Sequence, residues 1–247
     1  TMANQFMKLW FRVPRPWVLD PDFTILEAAR EAAAGYSFPS GHTTSAVATF
    51  GAIAVSSQKR WEQIGALVLA VLVGISRMYI GVHTPKDVLV SAVIAVLLVV
   101  LLRKPVLSGD DRAMKTLLAV MIAMAVGLLA FVEFWRFPGD IDAHNLESGL
   151  KNGYTLLGCG LAMLLSCYVE QRYIKFDEKA TWQGQALKLI LGFAIVLGLK
   201  AGLKPVLESL LPVLPARAVR YFLIVVFAAC VWPLAFPHLS KFGKKRD

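Results

Sequence analysis

The stretch KDVLVSAVIAVLLVVLL, residues 86–102, decides how this chain folds. After Asp87 it carries no charge until Arg103. As a helix, a run of this length comes close to crossing the ~30 Å hydrocarbon core of a bilayer. Lipid offers no water to satisfy backbone N–H and C=O groups, so the run must satisfy them internally, as a helix does. The run also opens on an anomaly. A carboxylate at the mouth of an apolar helix is costly, and a residue kept there marks a functional candidate.

Working outward, further apolar runs lie at roughly 42–57, 62–82, 114–135, 150–170, 186–204 and 218–237, which makes about seven membrane helices by length. The run at 42–57 is short and rich in small residues, as a helix within a bundle would be. The composition agrees. Of 247 residues 57% are hydrophobic and 17% charged, against about 45–50% and about 25% in soluble domains. The net charge of +9 does not mark a nucleic-acid binder, because the basic residues cluster at the ends of apolar runs. Cys159, Cys167 and Cys230 lie inside such runs with no metal-ligand spacing and read as packing residues. The fold class expected is all-α, a polytopic membrane helical bundle. Residues 1–110 form its core and 111–247 add further membrane helices to the same bundle.

Lys and Arg bias sets the expected orientation. If the connection at 58–61 is cytoplasmic, its side gathers Lys59, Arg60, Arg103, Lys104, Arg112, Lys115, Arg172, Lys175, Lys179, Lys188 and the tail Lys241, Lys244, Lys245 and Arg246. That modest excess makes the C-terminus cytoplasmic, and residues 8–42 and 77–87 face the other side.

Three segments on that extracytoplasmic face hold charge where a membrane protein avoids it. In the first, Lys8 and Arg15 stand seven apart, with Arg15 held extended between Pro14 and Pro16. Taken alone, both could be interfacial cations whose stems lie along apolar surface. In the second, Pro39-Ser40-Gly41-His42 precedes an apolar run. Ser40 suits an N-cap, the helix start is a ready anion site, and Gly41 lets an anion approach the backbone. Taken alone, this is also an ordinary capped helix. In the third, Ser76-Arg77 is followed by His83 and Asp87. Thr84-Pro85 reads as cap and first helical residue. Asp87 is four residues from His83, where its carboxylate can hold one ring nitrogen and leave the other free to attack. The plainer reading is a capping box, Thr84 with Asp87. Cations and amides placed in advance would stabilise the charge spread over a transferring phosphoryl group.

Together the segments resemble the three-part signature of the type-2 phosphatidic acid phosphatase superfamily: Lys, six residues, Arg-Pro; Pro-Ser-Gly-His; Ser-Arg, five residues, His, three residues, Asp. Every signature residue is present at the family's spacing, across residues 8–87. The resemblance implies a phosphatase/haloperoxidase-like helical core and hydrolysis of a lipid-linked phosphate or diphosphate. It makes His83 the nucleophile that becomes a phosphohistidine, Asp87 its orienter, and His42 the general acid and then base. Lys8, Arg15, Ser40, Gly41 and Arg77 would hold the phosphate oxygens. It implies no metal and no cofactor, and partners limited to membrane lipids and the lipid phosphate, with no nucleic acid. Undecaprenyl diphosphate suits an outward-facing site in a bacterial plasma membrane. Phosphatidate, phosphatidylglycerol phosphate and sphingoid phosphates are the alternatives, and a non-enzymatic lipid-phosphate binder or transporter would use the same scaffold. A vanadate-dependent haloperoxidase shares the anion site, but the apolar runs weigh against it. Residues 2–7 leave only a stub where the family places a preceding membrane helix.

Other signals have plainer readings. Asp20, Asp22 and Glu27 read as a solvated loop. Asp140, Asp142, His144 and Glu147 read as a polar loop, and His238 as interfacial. Trp10, Trp17, Trp61, Trp135, Trp182 and Trp232 suit aromatic belts. Lys200 and Lys204 form one stripe near the outer end of a helix; they could meet an anionic headgroup, and snorkelling is the plainer reading.

Overall fold

The computed structural model describes residues 2–30, 33, 35–139, 141, 143–177 and 179–242. The described residues form helices and loops without a strand. They run α1 (Met2–Phe11), α2 (Pro16–Leu19), α3 (Glu27–Arg30), α4 (Gly41–Ser56), α5 (Arg60–Tyr79), α6 (Pro85–Leu107), α7 (Asp111–Phe134) and α8 (Ala143–Val169). α9 (Trp182–Leu210), α10 (Val213–Val226) and α11 (Phe236–Leu239) complete the order. Among the described residues six helical segments are long and apolar enough to cross a membrane: Arg60–Tyr79, Pro85–Leu107, Asp111–Phe134, Ala143–Ile174, Trp182–Leu210 and Val213–Leu239. The run expected at 42–57 is the sixteen-residue α4. It packs against α5 and α6. The chain is an integral membrane protein of the all-α class.

Helix boundaries follow local chemistry. Ser40 caps α4, accepting from the Thr43 N–H at 3.3 Å. Thr84 caps α6, Pro85 takes its first position, and Asp87 closes the capping box. Asp110 Oδ1 accepts from Arg112 N at 2.9 Å to start α7. Thr181 Oγ1 accepts from Gly184 N at 3.1 Å to start α9. Two helices run past the expected ends. α6 continues through Pro105 and α9 through Pro205. His144 lies in the first turn of α8 rather than in a loop. Its expected neighbours Asp140 and Asp142 fall outside the described residues. Asp20 and Asp22 are exposed in a loop as expected, whereas Glu27, also exposed, begins the short helix α3.

The chain forms two compact units, Thr1–Leu117 with Ala130–Leu150, and Leu118–Leu129 with Lys151–Asp247. In the first, α1 docks on the start of α4 through Asn4, which is fully buried and donates to Thr44 Oγ1 at 2.8 Å. Phe6 and Trp10 of α1 also meet Phe131 of α7 in tilted ring contacts. Outward faces are apolar and exposed, as at Leu72 and Ile75 of α5 or Val100 and Leu101 of α6. In an integral membrane protein these stripes face lipid.

In the second unit α8 meets α10 at near backbone contact. A Cβ on Gly158 would fall 2.2 Å from the Ala218 carbonyl oxygen. Small residues of this kind let membrane helices approach closely. Gly158→Ala therefore forces the two helices apart. The expected cost is about 1–3 kcal/mol, as for other overpacked contacts. It is measured as a lowered melting temperature in detergent. Gly127→Ala, whose Cβ meets nothing within 4 Å, is the neutral control.

Candidate active site

Three short stretches of chain converge at one end of α4, α5 and α6. After α1 the chain turns sharply. Arg12 takes a left-handed φ of 49°, its N–H bonding back to the Lys8 carbonyl at 3.0 Å. Arg15 follows in extended backbone, φ −71° and ψ 155°, and stands as N-cap of α2. The short turn brings Lys8 and Arg15 to the same place. After α5, Gly81 at φ +80° reverses the chain. A Cβ there would lie 2.6 Å from the Thr24 carbonyl oxygen, so only glycine fits. Two residues on, His83 enters the site.

These elements enclose a cavity of ≈ 380 Å³ lined by Lys8, Arg15, Gly41, His42, Arg77 and His83, with Gln5, Ser45 and Val82. Both imidazoles of the sequence signature therefore border one space. The N-terminus of α4 opens onto it at Gly41 and His42. A Cβ on Gly41 would meet no atom within 4 Å, so packing does not demand the glycine. The last turn of α5 supplies Arg77, whose Nε donates to Ser76 Oγ at 3.3 Å. Ser76 Oγ donates in turn to the Val73 carbonyl at 2.7 Å, so it orients the arginine rather than the space.

Ser40 and Asp87 stand behind this lining. The Ser40 hydroxyl is occupied by the cap, also accepting from Thr43 Oγ1 at 2.9 Å. Asp87 is 2% exposed. Its Oδ2 accepts from Thr84 N at 2.8 Å and from Ser37 Oγ at 2.5 Å, and lies 3.5 Å from His83 Nδ1. The capping box and the imidazole contact, which competed as readings of the sequence, coexist on one oxygen.

His83 is 3% exposed. Its Nε2 lies 3.1 Å from Arg15 Nη1. A guanidinium only donates, so Nε2 keeps its lone pair, and Nδ1 carries the proton that faces Asp87. Burial holds the imidazole down to about 4. The Asp87 hydrogen bond raises it, and the charges of Arg15 and Lys8 lower it further. At neutral pH the ring is neutral, with its Nε2 lone pair facing the Arg15 guanidinium. Arg15 is itself lowered by burial to about 10, partly offset by Asp87, and stays protonated. Its Nε donates to the Gly35 carbonyl at 2.9 Å and its Nη1 to the Val82 carbonyl at 2.7 Å. Lys8 donates to the Tyr36 carbonyl. Backbone carbonyls thus aim both cations. An arginine fork, a lysine point charge and the start of a helix are the donors that hold a phosphate-sized anion.

Sequence reading missed the supporting residues. Ser37 is fully buried against Asp87, yet in sequence it is a serine in a loop. Asn4 reaches the Ser40 carbonyl at 3.5 Å as well as Thr44. A buried amide in the amino-terminal apolar stub was the available signal.

Two family models match the chain. Residues 1–107 match the PAP2 superfamily, and residues 154–245 match the transmembrane extension of PAP2 superfamily phosphatases. The chain is 36% identical to undecaprenyl-diphosphatase BcrC of Bacillus subtilis (strain 168) over 99 residues, 39% of this chain and 47% of that protein. It is 38% identical to phosphatidylglycerophosphatase B of the same organism over 97 residues, 36% of this chain and 43% of that protein. A Sulfolobus acidocaldarius undecaprenyl-diphosphatase is 43% identical over 54 residues, 22% of this chain and 26% of its own length. The chain thus spans less than half the length of the relatives it matches. No solved structure matches it. With a superfamily match over the segments that build the cavity and a second over its later helices, the chain belongs to the PAP2 superfamily.

Proposed function

We propose that this protein is a membrane phosphatase that hydrolyses a lipid-linked phosphate or diphosphate through a phosphohistidine at His83. The observation that carries the reading is the convergence of His83, His42, Lys8, Arg15 and Arg77 on one cavity, with the His83 ring held between Asp87 at Nδ1 and Arg15 at Nε2. Catalysis resides in residues 1–110, which hold all three signature segments. The site faces the extracytoplasmic side of a bacterial plasma membrane and the C-terminus faces the cytoplasm, following the Lys and Arg bias.

The reaction runs in two steps. The lipid phosphate enters with its oxygens on Lys8, Arg15, Arg77 and the Gly41 amide. His83 Nε2 attacks phosphorus, an N–P bond forms, and the bond to the lipid oxygen breaks. His42 gives its proton to that oxygen. Asp87 stabilises the positive charge developing on the His83 ring, and Ser37 and Thr84 hold the carboxylate in place. A water then gives its proton to His42 and attacks phosphorus. The N–P bond breaks, and inorganic phosphate leaves. The resident cations compensate the spreading negative charge without moving, so the reaction proceeds without a metal.

Undecaprenyl diphosphate is the leading substrate, because two of the relatives bear the name undecaprenyl-diphosphatase. Phosphatidylglycerol phosphate is the second reading, favoured by the similarity to phosphatidylglycerophosphatase B.

A phosphate-release panel in detergent with EDTA present tests the whole scheme. Wild type releases phosphate at an unchanged rate when EDTA is added, and His83→Ala releases none above background. Loss of wild-type activity to EDTA, or turnover in His83→Ala, would sink it. Ser37→Ala removes a hydrogen bond to a charged group, so kcat falls about tenfold to a hundredfold with KM little changed; an unaltered kcat removes Ser37 from the scheme. For pH, protonating His83 consumes the attacking lone pair. Burial and nearby cations disfavour that protonation, so kcat/KM keeps its His83 limb down to about pH 4 and then falls as pH drops further. A His83 limb near the ordinary histidine range, identified by its displacement in Asp87→Asn, contradicts the structure.

A further inference from the structure

The second compact unit holds a hollow of its own, ≈ 600 Å³ in volume, between α8, α9 and α10. Its lining gathers cations from three helices: Lys151 of α8, Lys200 and Lys204 of α9, and Arg217 and Arg220 of α10. Glu208 is the carboxylate in that lining, so the described walls are strongly positive. None of these residues borders the cavity around His83.

Depth makes the cluster unusual. Lys200 lies about three turns before the end of α9, and Arg220 about two turns after the start of α10. Both helices belong to segments apolar enough to span a bilayer. Cations at such depth are costly and mark ligand or ion sites. Snorkelling explains Lys200 and Lys204 singly, but not Arg220. That side chain is 6% exposed, and its Nε has no hydrogen-bond partner. A buried donor of a charged group left without an acceptor is expensive. Its neighbours are arranged in advance. Arg217 Nε donates to Thr155 Oγ1 at 2.8 Å. Both guanidinium groups lie over the Tyr221 ring, at 5.7 Å and 5.3 Å from its centroid. The close approach at Gly158 and Ala218 ties α8 to α10 one turn away, so this side of the hollow is rigid.

We propose that this hollow is a second, non-catalytic anion site, taking the phosphate of a phosphate-bearing group. Arginine forks match phosphate oxygens in pairs, and the missing acceptor for Arg220 Nε is then supplied by the ligand. The setting within apolar helices favours a phosphate carried on a lipid, although a free phosphate or pyrophosphate presents the same chemistry.

Native mass spectrometry of the full chain tests this. All measurements use a His83→Ala background, so that a lipid phosphate survives. The probes are dioleoyl phosphatidate, dioleoyl phosphatidylcholine as the comparator lacking a free phosphate end, and inorganic pyrophosphate. Phosphatidate is expected to be retained in preference to phosphatidylcholine. Adding Arg220→Gln lowers the number of retained headgroups by one or weakens that retention at least about tenfold. Lys204→Gln, at an exposed position, weakens it in the same direction and serves if Arg220→Gln lowers the melting temperature. Displacement of phosphatidate by pyrophosphate assigns the phosphate alone as the ligand, whereas persistence of phosphatidate assigns the lipid. Retention unchanged in both variants, or equal retention of phosphatidylcholine, overturns the proposal. The readout is the difference made by α9 and α10 residues, so it stands whether or not the His83 cavity proves to be the catalytic one.

Discussion

Positive charge held out of water is the constraint around which the first unit is organised. Lys8 and Arg15 are each 8% exposed, and Arg77 borders the same cavity. The nearby carboxylate, Asp87, is turned away into hydrogen bonds with Thr84 and Ser37. Burying ions costs several kcal/mol each unless a partner compensates. Carbonyls of Gly35, Tyr36 and Val82 compensate in part, and an entering anion completes the arrangement. The same charge, added to burial, keeps His83 neutral. One electrostatic condition thus bears on both the sign of charge the cavity favours and the protonation state of His83.

Helix ends supply the architecture for that condition. The start of α4 and the last turn of α5 border the cavity, and His83 enters it just ahead of α6. The N–H groups that a starting helix leaves unpaired suit a phosphate, whereas the end of α5 contributes the Arg77 side chain. Asp87 shows the economy of the arrangement. Its Oδ2 closes the cap of α6 and faces His83 Nδ1. A carboxylate pinned by its own helix cannot swing away from the imidazole it orients. Stability of α6 and geometry of the site are therefore a single property.

The second unit repeats the principle with different parts. Small residues bring α8 and α10 into near backbone contact, and arginines are held within apolar spans by an aromatic ring and a threonine.

The sequence by itself determined the all-α membrane class, the segments that cross, and the signature residues, because hydropathy and motif spacing are local properties. It also determined the caps at Ser40 and Thr84, which act within one turn. Several features were settled only in three dimensions. Whether Asp87 serves its helix or His83 depended on where a loop delivered Ser37, fifty positions away. Ser76 proved to brace Arg77. The helices continued through Pro105 and Pro205, past the ends of the apolar runs. Lys200 and Lys204 looked like isolated interfacial cations until α8 and α10 brought Lys151, Arg217 and Arg220 beside them. Contacts between residues distant in sequence depend on helix packing, and no local pattern records them.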